Sequence, residues 1–172
     1  VYAGRDLEAG GTWLGVGPGG RFAALTNIRD PRQPLGPRSR GELVAAYLRG
    51  ELAVEAYLDQ VASRSAQYSG FNLLVGDAER LGYLHAHEPA PRLLEPGVYG
   101  LSNAGLDTPW PKLVKTREGL ARLLDDPDPR QLLGLLADGE PAADAELPDT
   151  GVGLATERLL SSAFITSQNY GT

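Results

Sequence analysis

The stretch Gly10-Gly11-Thr12-Trp13-Leu14-Gly15-Val16-Gly17-Pro18-Gly19-Gly20-Arg21-Phe22-Ala23-Ala24-Leu25-Thr26-Asn27 decides the fold. Residues 12–16 and 21–27 read as two strands, and Gly17-Pro18-Gly19-Gly20 between them is turn chemistry suited to a hairpin. Gly15 to Gly20 also fits the spacing G-x-G-x-x-G. A dinucleotide site requires that turn to open a helix whose amides meet a pyrophosphate, whereas here a strand follows. The pattern is therefore read as a hairpin, with Trp13 in its core. By the two-residue period Ala23, Leu25 and Asn27 share one face, so Asn27 leaves the strand beside small apolar neighbours.

Outward from the hairpin, a Pro/Arg loop over 28–38 leads to Ser39-Arg40-Gly41-Glu42, which has the spacing of a capping box. The apolar periodicity then predicts helices over 40–49 and 54–64. Residues 70–75 form a continuous apolar run, a strand buried on both faces, and 81–86 and 97–102 are further strands. Proline at the first position predicts helices over 111–124 and 129–137, the second capped by Asp128. Residues 138–149 are acidic and rich in Ala and Pro, a mobile loop. Residues 162–167 read as a last strand, with a turn over 168–171. Strands, two helices, strands, two helices and a strand give an α+β class with helices covering sheet faces.

The 172 residues make one domain's worth, with 42% hydrophobic and 22% charged residues. A net charge of −6 argues against nucleic acid as a partner. The sequence contains no run long and apolar enough for a membrane span and no apolar signal region at Val1-Tyr2-Ala3, which together predict a cytoplasmic chain. With no cysteine there is no disulfide and no thiolate metal site. The lack of methionine at position 1 and a final strand without its return predict truncation at both ends of a single domain.

Four groups of residues carry candidate chemistry. Asn27 and Asn103 each follow a hydroxyl residue at a predicted strand end. There an amide can donate to an oxyanion, or can simply terminate the strand through turn hydrogen bonds. Arg29, Arg32, Arg38 and Arg40 crowd the loop before the first helix, as anion-binding forks or as a solvated surface. Trp13 and Trp110 floor an apolar pocket or fill the core. His85 and His87 alternate on a strand end, but no third ligand stands near them, so no metal is assigned.

Several phrases bear a resemblance. Gly10-Gly11-Thr12-Trp13-Leu14-Gly15, Ala24-Leu25-Thr26-Asn27, Arg40-Gly41-Glu42-Leu43, Gly70-Phe71-Asn72-Leu73-Leu74, Leu101-Ser102-Asn103 and Asp107-Thr108-Pro109-Trp110-Pro111-Lys112 come in the order of the NRDE family, the transport and Golgi organisation 2-like proteins. That family looks related to the N-terminal-nucleophile hydrolases. The resemblance implies a four-layer αββα sandwich, here without its first and last strands, and a hydrolase cleaving a small amide or acyl bond. Asn27 resembles the family's oxyanion-hole asparagine and Asn103 its second asparagine. The nucleophilic cysteine, its Arg–Asp pair and a late arginine are absent from this sequence. The alternative the resemblance implies is a non-catalytic carrier of haem or of an acyl-CoA or lipid-like anion. It would have no cofactor of its own, and haem would be cargo. Either way the expected partner is a small, anionic molecule.

Overall fold

The computed structural model describes residues 1–88 and 90–168, and divides the chain into two compact units, Val1–Arg29 with Gln33–Gly97, and residues 30–32 with 98 onward. The first unit is an open six-stranded antiparallel sheet in which every strand pairs with its neighbour in sequence. Its strands are β1 (Tyr2–Ala3), β2 (Leu14–Val16), β3 (Phe22–Asn27), β4 (Phe71–Gly76), β5 (Leu81–His85) and β6 (Arg92–Leu94). The β2–β3 hairpin forms as read, with Val16 opposite Phe22 and a 3-10 turn at Pro18–Gly20.

Two helices, α1 (Gly41–Arg49) and α2 (Val54–Ala62), stand between β3 and β4 in the chain. Their apolar stripes, Leu43, Val44, Tyr47 and Leu48 on α1 and Val54, Tyr57, Leu58 and Val61 on α2, are buried with Ala23, Leu25, Phe71, Leu73, Val75 and Leu84 of the sheet. The register explains this set. Ala23 faces Val75, Leu25 faces Leu73 and Leu73 faces Leu84, so these side chains share one face. Glycines on that face let the helices come close. A Cβ on Gly15 would meet Leu48, and one on Gly82 would meet Leu58 and Val54. Each fully buried aliphatic or aromatic side chain contributes about 1.5–3 kcal/mol.

Several expectations change. The capping box does not form: Ser39 accepts the Glu42 amide with its main-chain oxygen, while the Glu42 carboxylate turns to the Tyr68 hydroxyl at 2.5 Å and to Arg38 at 2.6 Å. Charged and hydroxyl donors outcompete a single backbone amide for that carboxylate. Trp13 lies just before β2 and is 37% exposed instead of buried. It stands one residue ahead of β2, outside the strand ladder, with its ring 5.6 Å from the Arg40 guanidinium. The predicted strand over 97–102 is a tight loop with only an isolated bridge between Leu101 and Leu106. The Ser102 hydroxyl accepts from the Ala104 amide at 3.0 Å, a local bond that competes with a ladder.

The second unit contains α3 (Pro111–Leu123), α4 (Pro129–Leu136) and α5 (Leu154–Leu159). As read, Asp128 caps α4, accepting from the Arg130 amide at 3.1 Å. No strand is named within this unit among the described residues, so what α3 and α4 show there is their packing on each other. A Cβ on Gly119 would meet Leu135. The acidic loop is tethered, by Lys115 to Asp138 at 2.5 Å and by Arg158 to Asp144 at 2.6 Å. Residues 162–167 bend instead of forming a named strand, with the Ser162 hydroxyl donating to the Phe164 carbonyl at 2.8 Å. Of the turn expected over 168–171, residues 169–171 lie outside the described residues. Among the described residues no helix is long and apolar enough to cross a membrane.

One contact sets the angle of α1. The Thr12 amide donates to the Gly41 carbonyl at 3.1 Å, and a Cβ on Gly11 would stand 2.5 Å from the Gly41 carbonyl carbon. Gly11 also has φ +79°, where a side chain is strained. Gly11→Ala is expected to cost about 2–4 kcal/mol, because both backbone strain and a clash oppose it. Gly134→Ala, inside α4 with open space around it, should stabilise by about 0.5–1 kcal/mol. Urea denaturation of the two variants checks the opposite signs.

Candidate functional site

Three of the residues singled out in the sequence meet at one corner of the sheet. Arg40, immediately before α1, donates from Nη1 to the Gly70 carbonyl at 2.9 Å. That same oxygen accepts from the Ile28 amide at 3.1 Å, directly after Asn27 ends β3. The Arg40 guanidinium also lies 5.6 Å from the centre of the Trp13 ring. The family phrases around Trp13, Asn27, Arg40 and Gly70 are thus parts of one joint.

The electrostatics of this joint are unusual. Arg40 is half-buried, and it makes no ion pair among the described residues. Burial pushes its pKa down, although arginine stays charged at any ordinary pH. A desolvated cation whose partners are one neutral carbonyl and one aromatic face favours an incoming anion. Asn27 pairs with Phe71, and its side-chain oxygen is buried on the helix-covered face, the face the period of two assigned it.

The opposite face of the sheet carries a residue quoted above only as part of a motif. Asn72 is fully buried; it accepts from the Tyr83 hydroxyl at 2.7 Å and donates to the Thr26 hydroxyl at 3.2 Å. Its signal in the sequence is a lone amide in the apolar run Phe71-Asn72-Leu73-Leu74-Val75. A buried amide is retained only when it is hydrogen-bonded, so this bridge locks β3, β4 and β5 at the end where Asn27 stands.

Arg29, Arg38 and Arg40 belong to the first unit, and Arg32 belongs to the second. Arg32 is paired with Asp30 at 2.8 Å. Arg38 pairs with Glu42, donates to Gln67 at 3.1 Å and lies 5.5 Å from the Tyr68 ring.

In the second unit Asn103 stands at the tip of a loop, not at a strand end. The loop is closed by Asp107, at φ 54°, whose carboxylate accepts from the Gly100 amide and from Arg117, both at 2.9 Å. Trp110 is buried, 7% exposed, just before α3. Beside this loop is a cavity of about 310 Å³ walled by Leu101, Leu113, Leu120 and Leu136, with Lys112 and Arg117 on its lining. Lys112 donates to the Leu160 carbonyl at 2.8 Å.

The His85 and His87 rings stand edge to face 5.4 Å apart, and His85 Nδ1 accepts from the His87 amide at 3.2 Å. Among the described residues no group of three or more metal-ligating side chains forms.

The tyrosines under α1 and α2 give the unit a pH signature. Burial, and then the hydrogen bond to Glu42, push the Tyr68 hydroxyl from 10 up to about 12, and burial raises Tyr57 as well. The folded state thus holds protons that the unfolded chain releases above pH 10. The stability they contribute is complete below that value and declines as pH rises toward 12. A loss on the order of 2 kcal/mol is expected from Tyr68 across this window, at about 1.4 kcal/mol per pKa unit. Denaturation curves at stepped alkaline pH should show the decline, and Tyr68→Phe should remove its share of it, leaving that of Tyr57.

Comparison with known proteins gives one consistent answer. The family described as Transport and Golgi organisation 2 matches residues 1–172. A mouse protein named Transport and Golgi organization 2 homolog is 38% identical over 168 residues. Bovine and human proteins named Transport and Golgi organization protein 2 homolog are 40% and 36% identical, over 168 and 164 residues. Each comparison covers 88% of this chain, which spans 59% of the length of these curated relatives.

Proposed function

We propose, from the premise that the chain belongs to the Transport and Golgi organisation 2 family, that the whole protein is a hydrolase of N-terminal-nucleophile type that cleaves a small amide or acyl bond. The Asn27–Arg40 corner receives the acyl oxygen or an adjacent carboxylate. The observation that carries this reading is the half-buried Arg40 guanidinium, in no ion pair among the described residues and held by the Gly70 carbonyl, which also accepts from Ile28, the residue after Asn27. The sheet supports the same reading. Its helices cover one face, while the other carries buried Asn72 and Tyr83 with Leu14 and Val16 of β2 at 59% and 49% exposed, so both faces bear side chains suited to packing, as expected of one half of a four-layer αββα sandwich.

In such a site a thiol outside these 172 residues gives its proton to its own α-amine, whose ordinary pKa of about 7.7–8.0 suits neutral pH. The thiolate attacks the carbonyl carbon, and the carbonyl oxygen takes up negative charge. The C–N or C–O bond then breaks, the leaving group receives the proton, and water releases the acyl group. Asn27 offers an amide donor to the oxyanion. Arg40 supplies positive charge from a half-buried position, where it is screened less than at an open surface.

The test uses the full-length protein with amide and acyl-ester panels. Asn27→Ala should lower kcat by about 10²–10³, the usual effect of removing an oxyanion donor. Arg40→Ala should act mainly on KM. No turnover of any panel member, or turnover unchanged by Asn27→Ala, would sink the reading.

A second reading is favoured by the cavity of the second unit, where leucine walls and two cations, Lys112 and Arg117, suit an amphiphilic anion of the haem or acyl-CoA type. Leu136, 54% exposed, lines it and tolerates substitution. Leu136→Asp should weaken a fluorescent fatty-acyl probe about tenfold, from lost apolar contact and added negative charge. Unchanged affinity assigns the cavity no ligand.

A further inference from the structure

The first unit holds a hollow that shares no lining residue with the Asn72 network and that neither reading uses. About 420 Å³ in volume, it is lined by Arg5, Arg49 and the small residues Ala3, Gly4, Gly11 and Ala45. The small side chains make the concavity, and the two arginines are the only charged side chains among these six. Neither guanidinium makes a hydrogen bond or ion pair, and no carboxylate lines the hollow, among the described residues.

The nearest acid in sequence is already committed. Asp6 accepts from the amides of Glu8 and Ala9 at 2.9 and 3.0 Å, and these bonds hold its carboxyl below the usual range. Although the chain has 22 acidic against 16 basic residues, both guanidiniums line this hollow with no acid among its lining residues. Surface arginines far from acids are ordinary; two on one concave wall form a paired donor array. Each guanidinium presents a planar fork of N–H donors that matches an oxyanion in bidentate fashion.

We propose that this hollow binds a doubly charged oxyanion of the phosphate-monoester class, with Arg5 and Arg49 as its two forks. A dianion neutralises both cations, whereas a single carboxylate neutralises one. Thr12 is not a contributor, because its hydroxyl donates to the Leu14 carbonyl at 3.1 Å and its amide to Gly41. The site is independent of the hydrolase reading, since it shares no residue with the Asn27–Arg40 corner.

The experiment titrates inorganic phosphate, and acetate as the singly charged comparison, into the full-length protein. Calorimetry gives the affinity, and the ¹⁵N-resolved arginine side-chain signals report where the anion sits. Saturable phosphate binding that moves the Arg5 and Arg49 signals and exceeds acetate binding is expected. Arg5→Ala and Arg49→Ala should each weaken it roughly tenfold, the ratio that about 1.4 kcal/mol represents. Lysine at either position should restore part of the loss. Phosphate that fails to saturate, or that moves other signals, overturns the proposal. So does a correctly folded Arg5→Ala/Arg49→Ala double variant that binds as the parent does.

Discussion

The Thr12 amide and the Gly41 carbonyl meet with nothing between them, and the first unit depends on that approach. Gly11 and Gly41 carry no side chain, so the backbone before β2 lies directly on the backbone that opens α1. A shift of one ångström there would carry Leu43, Val44, Tyr47 and Leu48 off the sheet, because a helix moves as a rigid rod. It would also withdraw Arg40 from Gly70. The core and the candidate site are therefore positioned by one backbone contact, which explains why glycines stand in two phrases of sequence far apart from each other.

The sequence made the periodic parts of this molecule legible. The β2–β3 hairpin, both helices of the first unit, and α3 and α4 were readable because apolar spacing, proline and turn residues agreed at each of them. The short elements were not. β1 and β6 have two and three residues, too few to show an alternation. α5 begins after Gly153 at φ 85° without a side-chain cap, so no start signal precedes it. Ser102 and Glu42 misled for a shared reason: each has several possible partners, and sequence spacing names only the local one.

The site was partly legible in the same sense. Asn27 was assigned its face by counting residues, and Arg40 and Trp13 were marked as candidates. That Arg40 reaches Gly70 was not readable, since their closeness is created by β3 pairing with β4. Asn72 was visible only as an oddity in an apolar run. In the arginine loop, the acid each guanidinium meets, Asp30 for Arg32 and Glu42 for Arg38, was not readable, because several acceptors stand within reach of a long side chain.

The sheet's order carries a consequence for how the chain folds. Every pairing joins strands adjacent in sequence, so four of the five joints close short loops, at little entropic cost. The joint of β3 with β4 is different, because α1 and α2 lie between those strands. Loop closure there must be repaid by contacts reaching across the inserted helices, and those contacts are the buried tyrosine and leucine rows. The hairpins on either side can form early and separately. The central pairing, and with it the corner where Arg40 meets Gly70, belongs to the slow, cooperative step that commits the unit to its native state.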